Sequence, residues 1–420
     1  MLKLKHWLVL ALSTCLFTEA FSQVNVRIRL GNQPDEVMVR IKEGHYHLIA
    51  ADRDGYALDT VWHISHEDKE TLLTIKKSKN KVVVFMPSIG ALSFDELWLI
   101  PDQRDIDPSF IIAGVASKER WYQDGLHMFL SQPDNQLTVV NQVALEKYVA
   151  GVVESEGGAF SQMEYFKAQA ILARTFAIKN FKKHLPDRYN LRDDVSSQVY
   201  HSRAYFRNAE MIINASNATK DTVITDENNL PLAALFHANS GGQTAKSSDV
   251  WSKDLPYLTS KADPFSVDQN SYRWEKRIAK RDLLNVLSRH FNTAPTDTNL
   301  IRAWESFTQP TRKAYFNYNN QQLKLTVLRS RFKLRSTFFD VKVEGDYYQL
   351  IGRGYGHGVG LSQDGAIHMS ASGFSFKDIL YFYYENSHLK NLSELLSKNE
   401  ALRKLVIQNS TGPLYRHHHW

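Results

Sequence analysis

Between Gly352 and Gly360 the chain reads GRGYGHGVG, with glycine at every second position and one histidine among them. Glycine at alternate positions of an extended segment strips one face of side chains, so that a second backbone or a flat ligand approaches closely. Something must lie against that bare face. On a strand, Tyr355 and His357 point to the opposite side. From the residues alone three readings stay open: a barrel corner or bulge around a core histidine, a neighbouring backbone, and a ligand such as a sugar. His237, beside Asn239, Ser240 and the Gly241-Gly242 pair, carries the same ambiguity. A phosphate loop is excluded, because G-x-G-x-x-G does not occur in the ribbon and no G-K-[ST] follows it.

The rest of the chain supplies context for that ribbon. Residues 24 to about 120 alternate apolar and polar in short runs such as VNVRIRL, EVMVRIK and KVVVFMP, which predicts a β-rich region. Near Asn141 the period changes. Leu145, Tyr148, Val149, Val152 and Val153 follow the i, i+3, i+4, i+7, i+8 spacing of one helix face, with Asn141 as the expected N-cap. After Gly157-Gly158 a second helix is expected. Ser161 and Glu164 suggest a capping box, and Met163, Phe166, Ala170, Ala173, Ala177 and Phe181 its buried face. PLAALFHANSGGQT reads as a buried strand entering a Gly-Gly turn. Residues 275–290 read as helix, 313–350 as strands, and about 377–384 as helix again.

The short loop between the first two helices carries a carboxylate, and the helical period selects which one. At about 100° per residue from Leu145, Glu156 falls roughly 20° from the centre of the apolar stripe and Glu154 roughly 180° away. Glu154 is expected to face solvent and Glu156 to sit on the apolar seam. Apolar surroundings disfavour the ionised form and raise a carboxyl pKa, which suits a general acid. The alternative is that the helix stops short and Glu156 merely caps or salt-bridges a neighbour.

Composition removes several classes of function. The formal charge is +6, but Lys and Arg are scattered, so nucleic acid is not an expected partner; a mild positive balance suits an anionic polymer such as a cell wall. The start, MLKLKHWLVLALSTCLFTEAFSQ, has a positive n-region, an apolar run and an Ala20-x-Ser22 site. It predicts a signal peptide over 1–22, export to the periplasm or the extracellular cell-wall space, and a mature chain from Gln23. A lipoprotein reading at Cys15 is the alternative. Cys15 is the single cysteine, so a chain starting at Gln23 has no thiol for disulfides, nucleophiles or thiolate metal sites. No later segment is long and apolar enough to span a membrane. No H-E-x-x-H or G-x-S-x-G occurs, and no metal or cofactor is expected.

Taken together, LEKYVAGVVESE, FKAQAILARTFAI, SSQVYHS, FHANSGGQT, VWSKDLPYL, LRSTFF and GRGYGHGVGLSQDGA resemble the stage II sporulation protein D family, also called SpoIID/LytB. They occur in the family's order from about Leu145 to Tyr384. The resemblance implies an α+β fold, with a β-rich region at 23–125 and a domain at 126–390 whose helices flank a glycan cleft. That domain holds an insertion at about 265–345, and a tail follows at 391–420. It also implies peptidoglycan strands as partner and lytic transglycosylation as activity, cutting the bond from N-acetylmuramic acid to N-acetylglucosamine and leaving a 1,6-anhydro sugar. The family's catalytic acid maps to Glu156, although Gly157-Gly158 stands where Met-Pro is usual. Arg174, Gln169 and Lys167 on the second helix are expected to line or support the cleft. Tyr200, His237, Ser240, Tyr355, His357, Ser362 and Gln363 are the expected sugar contacts. A zinc site with Cys and His ligands, described for some relatives, is not carried over, because the cysteines are missing. The competing readings are a non-catalytic wall-binding module that enhances a partner amidase and a structural envelope protein with a decayed cleft.

Overall fold

The structure, a computed structural model, describes residues 24–67, 72–157 and 161–408. The expected signal peptide and Gly158 lie outside the described residues. The protein is mixed α+β. Twelve strands come first: β1 (Asn25–Arg29), β2 (Glu36–Glu43), β3 (His45–Ala51), β4 (Ala57–Ser65), β5 (Leu72–Ser78), β6 (Lys81–Met86), β7 (Gly90–Phe94), β8 (Glu96–Pro101), β9 (Ser109–Ala113), β10 (Arg120–Gln123), β11 (Gly125–Leu130) and β12 (Leu137–Ala144). With β13 (Leu191–Arg192) they build two sheets, in the orders β13-β1-β12-β11-β8-β3-β4 and β10-β9-β2-β5-β6-β7. The alternation seen in the sequence sets their faces. In β2, Val37, Val39 and Ile41 are buried while their neighbours are exposed, and they share one core with Val26, Leu48, Leu99 and Met128 of the other sheet. The first sheet takes strands from both sides of residue 125, so its core is continuous across that point.

β12 runs without a break into α1 (Leu145–Gly157), which packs with α2 (Met163–Lys179) and α3 (Ala209–Ala218). Asn141 is therefore not an N-cap. It is wholly buried in β12, and its Nδ2 donates to the carbonyls of Gln123 (2.8 Å) and Gly125 (2.9 Å). The run of β-branched valines, pairing on both edges with β1 and β11, extends the strand four residues further than a capping residue suggests. The capping box is also absent. Gln162 holds the N-cap position of α2 without a side-chain bond, and Glu164 binds Lys167 and the Phe376 N–H instead.

The later elements are β14 (Thr222–Thr225), β15 (Phe236–His237), α4 (Ser247–Val250), β16 (Arg273–Ala279), α5 (Lys280–Phe291), α6 (Thr298–Glu305), β17 (Tyr315–Tyr318), β18 (Gln321–Lys324), α7 (Leu325–Phe332), β19 (Phe339–Glu344), β20 (Tyr347–Arg353), β21 (Leu361–Ser362), α8 (Gln363–Ala371), α9 (Phe376–Tyr383), β22 (His388–Asn391), α10 (Leu392–Lys398) and α11 (Glu400–Gln408). Four expectations change here. The buried strand around residue 236 shrinks to the two residues of β15. The helix expected from 275 begins only at Lys280, because 273–279 pair with β20. The stretch 313–350 is interrupted by α7. Residues 392–408, expected as tail, are two helices that bury Leu392, Leu396 and Val406. Trp274 to Leu350 enclose a second apolar core of their own, around Trp304, Phe291 and Leu287. Among the described residues no helix is long and apolar enough to cross a membrane.

The glycine ribbon is not a strand beyond Arg353. Gly354, Gly356, Gly358 and Gly360 all have positive φ, and the bare face lies on protein. A Cβ at Gly360 would stand 2.0 Å from the Leu235 carbonyl oxygen, and one at Gly354 would stand 2.7 Å from that of Asn239. The neighbouring-backbone reading is the one the structure adopts, and the barrel-corner and sugar-floor readings are set aside. Gly360→Ala is expected to destabilise by more than the ~1–3 kcal/mol of a left-handed backbone alone, because the methyl also meets that carbonyl. Gly373→Ala, with similar φ (+87°) and nothing within 4 Å, isolates the backbone part. Urea unfolding of both variants measures the difference, and equal losses would contradict the close approach.

Candidate active site

The last turn of α1 is roofed by the segment that follows residue 198. Three successive side chains of the helix each accept backbone N–H groups from it. Glu156 Oε1 takes Val199 (2.8 Å), Ser155 Oγ takes His201 (3.1 Å), and Glu154 Oε1 takes Tyr205 (3.0 Å) and Phe206 (2.8 Å). Glu154 is thus half-buried rather than facing water, because a distant segment covers the polar side of the helix. Burial raises the pKa of both carboxyls, against the opposing pull of those N–H bonds. The two differ in what holds them. Glu154 anchors two backbone amides, whereas the Glu156 carboxyl has one such donor, and no cation pairs with it among the described residues. On the far side, Gln363 Nε2 donates to the Glu156 carbonyl at 2.8 Å. Tyr148 and Tyr165, both fully buried, flank the carboxyl.

The second helix supports this turn from behind. Arg174 is completely buried and grips Glu146 of α1 through Nε (2.8 Å) and Nη2 (2.5 Å), while its other donors reach the carbonyls of Thr222 and Ser216. It ties α1, α3 and β14 together. Gln169 is equally buried, and its amide atoms have no protein partner among the described residues. Lys167 is bound to Glu164 at 2.6 Å. Tyr200 is fully buried and donates to Asn141 Oδ1 (3.1 Å), with its ring packed on Tyr122 and Tyr148. Direct sugar contact is closed to Arg174, Gln169 and Tyr200 in this conformation, since no surface of them reaches solvent.

The end of the ribbon joins the same place. Ser362 caps α8 by accepting from Gly365 N and also accepts from Ser240 N (3.2 Å). Ser240 Oγ donates to Asp263 Oδ2 (2.7 Å), a fully buried carboxyl whose pKa burial pushes up and which Tyr383 also meets. His237 is 4% exposed and its Nδ1 bonds the Val359 carbonyl. His237, Ser240 and Ser362 are thus internal braces, not surfaces for a ligand. The His357 ring is held by the backbone: Nδ1 accepts from Val359 N (3.0 Å), and the ring also meets the Phe236 backbone. Burial, with Arg329 nearby, holds its pKa at about 4, so it is neutral at physiological pH. Of the expected contacts, Gln363 stands against Glu156, and Tyr355 is 46% exposed. No group of three or more His, Cys, Asp or Glu side chains arranged to hold a metal ion is found among the described residues.

The stretch that builds this site is also the stretch other proteins share. The family model described as Stage II sporulation protein (SpoIID) matches residues 133–225, which span β12 through β14 and include the roof over α1. Stage II sporulation protein D of Bacillus amyloliquefaciens is 31% identical over 275 residues, covering 62% of this chain and 78% of that protein. The protein of the same name from Bacillus subtilis (strain 168) is 30% identical over 275 residues, covering 62% and 79%. The chain belongs to the stage II sporulation protein D family. A protein named Amidase enhancer from Bacillus subtilis (strain 168) is 25% identical over 292 residues, covering 57% of this chain and 40% of that protein.

Some parts of this site are not legible in the sequence. Val199 contributes only its backbone N–H, which no residue type announces. Asp263 lies in an unremarkable ADP triplet and becomes notable only when Ser240 and Tyr383 converge on it. Gly151 was a visible signal, since a glycine inside a helix marks close approach; a Cβ there would fall 2.3 Å from the Ser202 carbonyl oxygen of the roof. Glu154→Ala is expected to lose about 1–3 kcal/mol by orphaning two backbone amides, and Glu154→Gln much less. His357→Ala is expected to fall in the same range as Glu154→Ala, the opposite of what an exposed ligand contact would do. Thermal and urea unfolding test both, and an unchanged midpoint for His357→Ala would return that residue to the ligand-facing reading.

Proposed function

We propose that the protein is an exported peptidoglycan-remodelling enzyme, a lytic transglycosylase that uses Glu156 first as acid and then as base. The observation that carries this reading is the Glu156 carboxyl: partly buried, raised in pKa, held by one amide and not neutralised by any cation among the described residues. Such a group keeps a proton to donate. The protonated carboxyl gives its proton to the glycosidic oxygen as that oxygen leaves the anomeric carbon of N-acetylmuramic acid. The C6 hydroxyl of the same sugar then bonds to the anomeric carbon, and the carboxylate takes the hydroxyl proton. The 1,6-anhydro ring closes, no water is consumed, and Glu156 ends protonated as it began. One carboxyl suffices because the nucleophile is internal and present at high effective concentration; a paired-carboxylate hydrolase needs a second. Glu154, committed to two backbone amides, is not that second group.

The sign of the pH effect follows from the raised pKa. The proton needed for the first step is present below that pKa, so cleavage falls as pH rises through it. A carboxyl whose folded pKa lies above its unfolded value adds stability below the unfolded value and loses it as pH climbs through the folded one. Glu156→Gln removes that loss and can still accept from Val199 N, so its unfolding midpoint at neutral pH should equal or exceed wild type. Its cleavage rate should drop by about a hundred- to ten-thousand-fold. Mass spectrometry of purified glycan strands reads both points, since products of the proposed reaction are one water lighter than hydrolysis products. Cleavage by Glu156→Gln at the wild-type rate sinks the assignment, and reducing muramic ends sink the mechanism.

A second reading is a wall-binding enhancer of an amidase. It is favoured by the relative named Amidase enhancer and by Gly157-Gly158 standing where the family has Met-Pro. Well-folded wild type that binds strands without cutting them, and speeds an added amidase, would establish it.

A further inference from the structure

Several arginines of this protein are paired with acids. Arg174 holds Glu146, Arg188 holds Glu96, and Arg203 holds Asp107. At the start of the glycine ribbon the pattern breaks. Arg312, Arg329, Arg335 and Arg353 gather there, and among the described residues none of them forms an ion pair with a carboxylate. Arg312 is set against Gly358, where a Cβ would meet Nη1 at 2.5 Å, and it donates only to neutral oxygens: the carbonyls of Gln243 (3.1 Å) and Ser240 (2.6 Å) and the Thr337 hydroxyl (3.4 Å). Arg353 lies 3.9 Å from the centre of the Phe338 ring, with Arg312 also over that ring at 5.0 Å. Arg329 Nε is buried without a partner. Uncompensated charges this close cost free energy unless a counter-charge arrives. Burial, then Arg329 and Arg353, hold the Arg312 pKa down at about 9; Asp249 opposes them without forming an ion pair. The imidazoles of His237 and His357 are pushed down by burial and, further, by Arg312 and Arg329.

Two exposed aromatic side chains stand near this cluster. Trp251 is 41% exposed and lies 5.1 Å from the His357 ring; Tyr355 is 46% exposed with Arg335 5.5 Å above its ring. Aromatic faces suit the C–H face of a sugar, and a guanidinium suits a carboxylate, which it can take in a bidentate manner. We propose that Arg329 and Arg335, backed by Arg312 and Arg353, form a carboxylate-binding subsite which, with Trp251 and Tyr355, holds a carboxylated amino sugar. The subsite rests on the glycan reading given above and deepens it. It stands at one end of the ribbon, while Gln363, just past the other end, touches Glu156. The carboxylate has two sources in such a glycan, the lactyl ether of muramic acid and a peptide attached to it.

The test is a titration of the full mature chain, followed by ligand-observed NMR, with N-acetylmuramic acid, its methyl ester, N-acetylglucosamine and N-acetylmuramyl dipeptide. The acid is expected to bind about ten-fold or more tightly than the ester or N-acetylglucosamine, the order of a charge-assisted hydrogen bond. Arg329→Ala with Arg335→Ala should bring the acid down to the level of N-acetylglucosamine while the unfolding midpoint stays near wild type; Arg335→Ala alone, at the exposed position, should give part of the loss. Retained binding of the dipeptide assigns the carboxylate to the peptide, and its loss assigns it to the lactyl group. Equal binding of acid and ester, or unchanged affinity in the double variant, overturns the subsite. Repeating the titration with Glu156→Gln separates the two proposals: the acid-over-ester preference should persist there even where cleavage is lost.

Discussion

The backbone of Gly354–Leu361 lies directly on residues 235–241, where Tyr355 and Asn239 exchange N–H···O=C bonds at 2.8 and 3.0 Å and Leu361 N reaches the Leu235 carbonyl at 3.1 Å. Side chains on the ribbon's near face would stand where those carbonyls are, so glycine is required by the protein's own chain. That contact delivers Ser362 to Ser240 and starts α8 at Gln363, whose amide then holds the last turn of α1 through the Glu156 carbonyl. The position of the carboxyl thus depends on a backbone approach made far from it in the chain.

Burial and hydrogen bonding pull the Glu156 carboxyl in opposite directions. The Val199 amide favours the carboxylate, and withdrawal from water favours the acid; burial is the larger influence. The same contest at Glu154 shows that a raised pKa alone does not mark a catalytic group, since that carboxyl serves as an anchor for Tyr205 and Phe206. What distinguishes Glu156 is its setting between the roof, two buried tyrosines and Gln363.

Charge is handled in two ways in this fold. Arg174 and Glu146 form a multiply bonded pair that fastens α1 to α2, with Arg174 wholly enclosed. The arginines beside Tyr355 are left without acids and face an aromatic surface. The first arrangement is the kind that holds a core together, and the second is the kind that waits for an anion.

The sequence by itself determined the features that rest on local period. The alternating strands, the two helices meeting at a glycine loop, the buried face of α2 and the nearness of Glu156 to the apolar seam were all legible, because side-chain direction repeats every two or 3.6 residues. The order of short motifs carried the family. Only the tertiary structure decided where α1 begins, since pairing of β12 with β1 and β11 outweighed the capping preference of Asn141. It also decided that Glu154 is roofed, that Arg174, Gln169 and Tyr200 are enclosed, and that the ribbon's bare face meets backbone rather than sugar. Each of these turns on a partner remote in sequence, as with Gln363 and Glu156 at a separation of 207 residues. A local pattern says which way a side chain points, and only the folded chain says what it meets.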